Sequence, residues 1–253
     1  NVYLYKHELT ELPLTFNKVT GNFYCPYNKL TTLEGSPKEV GGDFNCSYNN
    51  LTTLEGSPKE VGTNFDCSEN NLTTLEGSPK KVGANFNCSY NNLTTLEGSP
   101  KSVGTNFDCS ENNLTTLEGS PKEVGGDFDC SENNLTDLKG GPESVNGVFS
   151  CYTNKLTSLE GVSKTIKGNL IVTDNKLTDL DFLPYSMEGN LYAMSNPIGN
   201  VIGNNVDLDL LKAFNSYKVL KDGDINLKRL KYLMEQFDRP INIEDIKKHY
   251  TIK

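Results

Sequence analysis

Apolar and polar positions repeat along this chain with a period of 21 residues, from the N-terminus to about residue 203. In each period an aromatic residue and a cysteine stand two positions apart, as in Phe44-Asn45-Cys46. This alternation predicts a short strand with Phe44 and Cys46 on its buried side and Asp43, Asn45 and Ser47 on the other side. The rest of each period consists of turn sequences such as Glu-Gly-Ser-Pro, which leave no room for a long helix.

The repeating columns keep their register through nine consecutive units. A single unit buries too little apolar surface to offset the conformational entropy of its 21 residues. Stacked units bury both faces of each coil and pair each strand with two neighbours, so we expect a solenoid. The inward aromatic column is Phe23, Phe44, Phe65, Phe86, Phe107, Phe128, Phe149, Leu170 and Leu191. The column of inward asparagines is Asn28, Asn49, Asn70, Asn91, Asn112, Asn133, Asn154, Asn175 and Asn196.

The spacing of these columns resembles the core of leucine-rich repeats. The residues that carry the resemblance are Phe44, Cys46, Asn49, Leu51 and Leu54. The following Pro-Lys-Glu-Val is similar to the short return segment of bacterial leucine-rich repeats. The sequence Glu-Gly-Ser-Pro-Lys-Glu-Val-Gly-Gly resembles repeats encoded in bacteriophage genomes. The resemblance implies a mainly β solenoid, with one short parallel strand per coil and an irregular or polyproline-like convex side. The chain departs from the pattern where glycine, for example Gly41 or Gly62, replaces the first consensus leucine.

The repeat becomes less regular toward both ends of the chain, and this change predicts three regions. Residues 1–22 form a degenerate N-terminal capping repeat, residues 23–203 the solenoid and residues 204–253 a small helical C-terminal cap. In the cap, helical spacing begins near Asp207, and Asn226 and Asn242 are predicted N-caps of two further helices. A second binding module is the alternative interpretation of this tail.

Charge and cysteine usage narrow the class of partner. The net charge is −9, and residues 1–203 contain 14 Lys and Arg against 25 Asp and Glu. Such an acidic array does not favour nucleic acid or an anionic membrane as a direct ligand, and a basic protein surface fits better. The seven cysteines recur once per coil beside a phenylalanine, which predicts buried free thiols and a reducing, cytoplasmic compartment (the host cytoplasm if the protein is viral). No leader or membrane-spanning pattern is visible, and nothing indicates an oligomeric state.

The outward positions vary while the inward positions stay constant, which is the pattern expected of a binding surface on a repeat protein. Tyrosines would provide anchors, and carboxylates would attract Lys or Arg. The candidate partner-binding residues are Asp43, Asn45, Tyr48, Asp66, Glu69, Tyr90, Asp108, Glu111, Asp127, Asp129 and Glu132.

No catalytic, cofactor or metal site is expected. The two histidines, His7 and His249, lie in opposite end regions, so a Ser-His or Cys-His pair within the array is not predicted. The interpretation is a non-enzymatic protein-interaction module that uses an acidic concave face. One alternative is a virus-encoded inhibitor of a host-defence or DNA-handling protein that mimics nucleic acid, and another is a structural, self-assembling repeat protein.

Overall fold

A computed structural model describes residues 1–221 and 223–253 and shows stacked coils that end in a small cap. Each regular coil carries two strands of two residues each. In chain order, the strands of the coils are β1 Val2–Tyr3, β2 Lys18–Val19, β3 Phe23–Tyr24, β4 Glu39–Val40, β5 Phe44–Asn45, β6 Glu60–Val61, β7 Phe65–Asp66, β8 Lys81–Val82, β9 Phe86–Asn87, β10 Ser102–Val103, β11 Phe107–Asp108, β12 Glu123–Val124, β13 Phe128–Asp129, β14 Ser144–Val145, β15 Phe149–Ser150, β16 Thr165–Ile166, β17 Leu170–Ile171, β18 Ser186–Met187 and β19 Leu191–Tyr192.

The strands form two parallel sheets. The front sheet contains the odd-numbered strands β1 to β19, and the return sheet contains the even-numbered strands β2 to β18. Neighbouring strands pair one full repeat apart, so that Phe44 lies opposite Phe65 and Asn45 opposite Asp66. This confirms the predicted solenoid.

The return sheet corrects one detail of the expectation. One strand per coil and an irregular convex side were expected, but Glu60–Val61 pairs with its equivalents in both neighbouring coils. The physical reason is stacking: a two-residue strand between Pro58 and Gly62 has no alternation of its own, yet repetition gives it a partner on each side.

The core consists of the predicted inward columns. Phe44 and Cys46 are fully buried, as are the leucines of the same coil. The phenylalanine rings from Phe23 to Phe128 stack on one another with centroids 5.2–5.6 Å apart. Because each ring covers the next, a coil inside the array exposes none of the surface of its phenylalanine.

Each inward asparagine joins two coils through hydrogen bonds to the backbone. The Asn91 amide donates to the carbonyls of Cys88 and Ser89 in its own coil and of Cys67 in the preceding coil, all at 3.1 Å. Its Oδ1 accepts a hydrogen bond from the Leu72 N–H at 2.9 Å. At the sharp bend after the strand, the backbone carbonyl and N–H groups therefore hydrogen-bond to a side chain rather than to water.

Glycine replaces the consensus leucine because the coils approach closely there. A Cβ atom at Gly62 would lie 2.0 Å from the carbonyl oxygen of Gly41, and one at Gly83 would lie 1.9 Å from that of Gly62. Since such contacts are impossible for any side chain, these regular coils have room only for glycine at this position, whereas the later coils carry Asn146, Lys167 and Glu188 there.

The C-terminal region contains helices and short strands, which are α1 Gly199–Ile202, β20 Asn205–Val206, α2 Leu208–Ser216, β21 Leu220–Lys221, β22 Asp224–Ile225, α3 Leu227–Gln236, α4 Ile243–Lys247 and β23 Thr251–Ile252. Helices α2, α3 and α4 begin at the N-caps Asp207, Asn226 and Asn242, whose side chains accept backbone N–H hydrogen bonds. Strand β20 pairs antiparallel with β19 and covers that end of the front sheet. Strands β21, β22 and β23 form a separate small sheet.

Replacing Asn91 with Ala tests the asparagine ladder. The change leaves the Leu72 N–H without a partner, whereas the Cys67 and Cys88 carbonyls keep hydrogen bonds from Asn70 and Asn112. Because one buried donor loses its partner, we expect the free energy of unfolding to fall by about 2 kcal/mol or more, measured by urea unfolding. The neighbouring Asn92 is exposed, and Asn92→Ala is expected to change stability by less than about 0.5 kcal/mol. Equal effects of the two substitutions would contradict the structural role of Asn91.

Candidate binding face

The outward side of the front sheet, here called the strand face, carries four columns of side chains. The first column precedes the strands and is itself a ladder. Asn106 Oδ1 accepts from the Asp127 N–H at 2.9 Å, and Asp127 Oδ1 accepts from the Val148 N–H at 2.7 Å. The predicted site residues Asp43 and Asp127 therefore help to hold successive coils together as well as facing outward.

Asp43 is the most fully hydrogen-bonded carboxylate of this column. Its Oδ2 accepts from the Tyr24 hydroxyl at 2.7 Å, and its Oδ1 accepts from the Thr63 hydroxyl and the Asn64 amide. Burial alone would raise the pKa of Asp43, but the hydrogen bonds from Thr63, Tyr24 and Asn64 outweigh it and lower the pKa. The same contact raises the pKa of Tyr24 to about 12, because a phenolate beside this carboxylate would lose the hydrogen bond.

The second column lies on the strands and contains Asn45, Asp66, Asn87, Asp108 and Asp129. These residues are half-buried. In each case the side-chain oxygen accepts from the backbone N–H and the hydroxyl of a serine two residues later, as Asp108 does at 3.0 and 2.7 Å from Ser110. Each side chain is thus held in one orientation before any partner arrives.

Two of these carboxylates are not ordinary surface acids. Burial raises the pKa of Asp66, and the hydrogen bonds from Ser68 only partly offset it. Burial likewise raises the pKa of Asp129, with the neighbouring Asp108 adding to the effect. Burial therefore makes Asp66 and Asp129 harder to ionise than exposed carboxylates.

The serine column differs from the prediction. Ser47, Ser68, Ser89 and Ser131 were expected to face outward, but they are buried. The strand ends at Asn45, and beyond it the Ser47 hydroxyl donates back to the Asn45 side chain at 2.8 Å, so that it is covered. The serines serve the second column as hydrogen-bond donors and are not available to a partner.

The fourth column is the most exposed part of the strand face, and its backbone is unusual. Tyr48 and Tyr90 have 42% and 47% of their surface exposed, and Glu132 is also exposed. The residues of this column all have a positive φ of 51–58°, a region that favours glycine or asparagine. This column consists of Tyr27, Tyr48, Glu69, Tyr90, Glu111, Glu132, Thr153, Asp174 and Ser195.

Tyrosine and glutamate alternate along the middle of this column and interact. A hydrogen bond to Glu111 raises the pKa of Tyr90 to about 12. A hydrogen bond with Tyr27, together with the charge of Glu69, raises the pKa of Tyr48 to about 12. The column therefore forms a continuous amphipathic ridge along the axis of the array.

At the N-terminal end of the ridge, the predicted site residue Tyr48 belongs to a tyrosine cluster whose other members, Tyr5 and Tyr27, were not among the predicted site residues. Tyr27 stacks on Tyr48 with ring centroids 4.2 Å apart, and Tyr5 packs edge-on against Tyr27 at 5.4 Å. Lys6 Nζ lies 5.2 Å from the Tyr27 ring centroid. Tyr27 stands in the varying fourth column, so the column pattern contained a signal for it. Tyr5 lies in the degenerate first coil, where no such signal exists.

The described residues offer little to catalysis. The seven cysteines are free and buried, and burial raises the pKa of their thiols, for Cys25 to about 12, which disfavours the reactive thiolate. Among residues 1–221 and 223–253 there is no group of three or more His, Cys, Asp or Glu placed to hold a metal ion. None of the helices in these two ranges combines the length and the apolar character needed to cross a membrane.

Stacked parallel strands, an asparagine at each bend and inward leucine columns are the features of leucine-rich repeats. The chain folds as a leucine-rich-repeat-like solenoid. Among solved structures, the leucine-rich repeat domain of APL1B is 20% identical with a TM-score of 0.43, over 68% of this chain and 61% of that domain. The APL1 leucine-rich repeat domain is 16% identical with a TM-score of 0.34, over 70% of this chain and 67% of that domain. No family model and no curated protein matches the sequence.

The raised pKa values of Asp66 and Asp129 predict a pH-dependent stability. In the folded chain these groups hold their protons more tightly than in the unfolded chain, whose ordinary value is 3.8. Above that value, the folded chain holds more protons than the unfolded chain. The free energy of unfolding therefore falls as the pH rises, until both groups are ionised in the folded chain. Replacing both with Asn, which Asn45 and Asn87 show the column accepts, is expected to remove this fall. The double variant is then more stable than the original protein at pH 7 but not at pH 3.

The control for this prediction removes two charges elsewhere. Glu76 and Glu97 lie exposed on an outer turn of the coils, and their replacement with Gln removes the same number of negative charges. Thermal unfolding across the pH range measures both double variants. A gain at pH 7 that is as large for the glutamate pair as for the aspartate pair would show that burial is not the cause.

Proposed function

We propose that this chain is a non-enzymatic protein-binding module and that its binding site is the strand face. The observation that carries the proposal is the contrast between columns. The inward columns are nearly invariant from coil to coil, whereas the fourth column changes residue type at Tyr48, Glu69, Tyr90 and Glu111 while keeping a strained backbone. Tyrosine and glutamate do not favour a positive φ, so their side chains rather than their backbone preferences account for their presence there.

Rigidity supports the proposal. The asparagine ladder and the aspartate–serine hydrogen bonds fix the strand face before a partner binds, so that little side-chain entropy is lost on binding. Repeat proteins commonly use such extended faces for protein partners. Tyr48 and Tyr90 act as amphipathic anchors, and Glu69, Glu111 and Glu132 select a basic partner and speed its association.

The proposed partner is a protein with a basic surface, without a cofactor, metal or nucleic acid. The proposed site also includes the second-column residues Asn45, Asp66, Asp108 and Asp129. Asp43 and Asp127 of the first column lie beside them. Seven free thiols in the core suit a reducing compartment, and we place the protein in the cytoplasm.

Mimicry of nucleic acid is the second form that this binding could take. It requires a dense and regular row of negative charges. In the second column, however, Asn45 and Asn87 interrupt the aspartates, and in the fourth column tyrosines interrupt the glutamates. These features favour a mixed aromatic and acidic interface over an imitation of a phosphate backbone.

Charge reversal on the ridge tests the proposal. The face variant carries Glu69→Lys, Glu111→Lys and Glu132→Lys, and the control variant carries Glu55→Lys, Glu76→Lys and Glu97→Lys on an outer turn. The two variants change the net charge equally. Proteins retained by the immobilised original chain are identified by mass spectrometry, and the Kd of the purified partner is measured by calorimetry at several salt concentrations. We expect the face variant to raise the Kd roughly 100-fold and the control to leave it nearly unchanged.

The outcome separates the possible readings. A loss of binding that is equal in both variants indicates a non-specific charge effect and removes the strand face as the site. Unchanged binding by the face variant, with folding confirmed by circular dichroism, also removes it. If the retained partners are nucleic-acid-handling proteins that are released at moderate salt, the result favours mimicry of nucleic acid over a mixed aromatic and acidic interface.

A further inference from the structure

The two sheets of the solenoid end differently at the C-terminal side. The last strand of the front sheet, β19, pairs with β20, which covers its outer edge. The last strand of the return sheet is β18, and within the described residues no strand pairs with its outer edge. One edge is therefore closed by the cap and the other is left open.

The backbone of β18 presents an unpaired donor and acceptor on this edge. The N–H groups of Ser186 and Glu188 donate to the carbonyls of Lys164 and Ile166 in the preceding coil, at 3.0 and 3.1 Å. Because successive residues of a strand point their backbone groups to opposite sides, the N–H and the carbonyl of Met187 point outward. The side chain of Met187 is only partly buried, although Ile166, its equivalent one coil earlier, is fully buried.

An apolar groove lies beside this edge. It has a volume of about 300 Å³, and its walls are formed by Leu183, Pro184 and Met187 of the last coil and by Leu208 and Leu211 of α2. Tyr185, at the rim, has 96% of its surface exposed. The volume is at the lower end of the range for ligand pockets, which suits one or two side chains of a peptide.

We propose that β18 and this groove form a docking site for an extended peptide of a partner protein, which adds to the return sheet as one further parallel strand. The peptide places an aliphatic side chain over Met187, where the valine column of the return sheet would continue. Its backbone hydrogen-bonds to the outward N–H and carbonyl of Met187. This is recognition by strand addition, and it lies apart from the strand face.

The observations favour a single strand over a second copy of the chain. A whole additional coil would have to extend both sheets, and β20 already occupies the edge of the front sheet. The chain itself uses strand addition at this end, since β20 adds to β19. Lys212 is the charged side chain in the groove lining, so an acidic residue in the peptide is favoured.

The chain provides its own probe for this site. A synthetic peptide with the sequence of residues 119–126, Gly-Ser-Pro-Lys-Glu-Val-Gly-Gly, contains a strand that pairs in parallel with the return sheet in the intact array. Titration of this peptide into the full chain is followed by NMR. We expect saturable shifts of the amide signals of Met187 and Leu211, with no change at the strand face.

Two N-methylated peptides test the pairing itself. In the array, the Gly125 N–H donates to the Val103 carbonyl of the preceding coil at 3.1 Å, whereas the Val124 N–H points toward the following coil. Methylation of the Gly125 nitrogen is expected to weaken binding about tenfold or more, because the backbone hydrogen bond to the Met187 carbonyl is lost. Methylation of the Val124 nitrogen is expected to leave the affinity nearly unchanged.

A matched pair of proline variants tests the protein side. Met187→Pro removes the outward N–H on β18 and is expected to weaken the peptide about tenfold or more. Lys18→Pro makes the same change on β2, the opposite edge of the same sheet, and is expected to have no effect on the peptide. Absence of saturable shifts, or equal weakening by both methylated peptides, would overturn the proposal even if Met187→Pro failed to fold.

Discussion

The structure depends on one interaction, the hydrogen bonding of an asparagine side chain to the backbone of two coils. At the bend after each front-sheet strand the chain turns into the core, where water cannot satisfy its carbonyl groups. Asn49 donates to carbonyls of its own coil and of the coil before it, and its Oδ1 accepts from the Leu30 N–H. Since every coil needs its neighbour for this purpose, a coil is not an independent unit. The neighbouring residue, Tyr48 in this coil, is thereby forced into a positive φ and directed outward.

Stacking at a fixed period places like residues over like, with consequences that depend on burial. Stacking stabilises the apolar columns, as the stacked rings of Phe44 and Phe65 show. Charged columns are penalised where water is excluded. The half-buried second column alternates amide and carboxylate from Asn45 to Asp108, and the Asn45 amide donates to Asp66 at 2.9 Å. Asp129, which follows Asp108, breaks the alternation, and its pKa is raised by burial and by the charge of Asp108. The exposed outer turn, by contrast, carries glutamate in five successive coils, because solvent screens their repulsion. Burial thus decides where a column of equal charges is tolerated.

Much of the fold could be predicted from the sequence because the repetition amplifies weak local signals. The inward position of Phe44 and Cys46 follows from one alternation of apolar and polar residues that recurs from coil to coil. The helices of the cap follow from the helical spacing after Asp207 and from the N-caps Asn226 and Asn242. The second strand of each coil could not be predicted, because a two-residue strand such as Glu60–Val61 exists only through its neighbours. The burial of Ser47 was missed for a related reason: alternation does not say where a strand ends. At the candidate site, the varying columns could be identified, but the raised pKa of Asp66 depends on burial that only the packed coils reveal.

These constraints determine which surfaces are free to acquire a binding function. Within the regular coils, the asparagine, phenylalanine and glycine columns cannot change without an unsatisfied N–H group, lost ring stacking or backbone clashes. The first and second columns of the strand face are partly committed to hydrogen bonds between and within coils. The fourth column has an exposed side chain whose identity the array does not require, and the edge at Met187 has backbone groups that the array does not use. Specificity for a partner can therefore change at these two places at little cost to the stability of the solenoid.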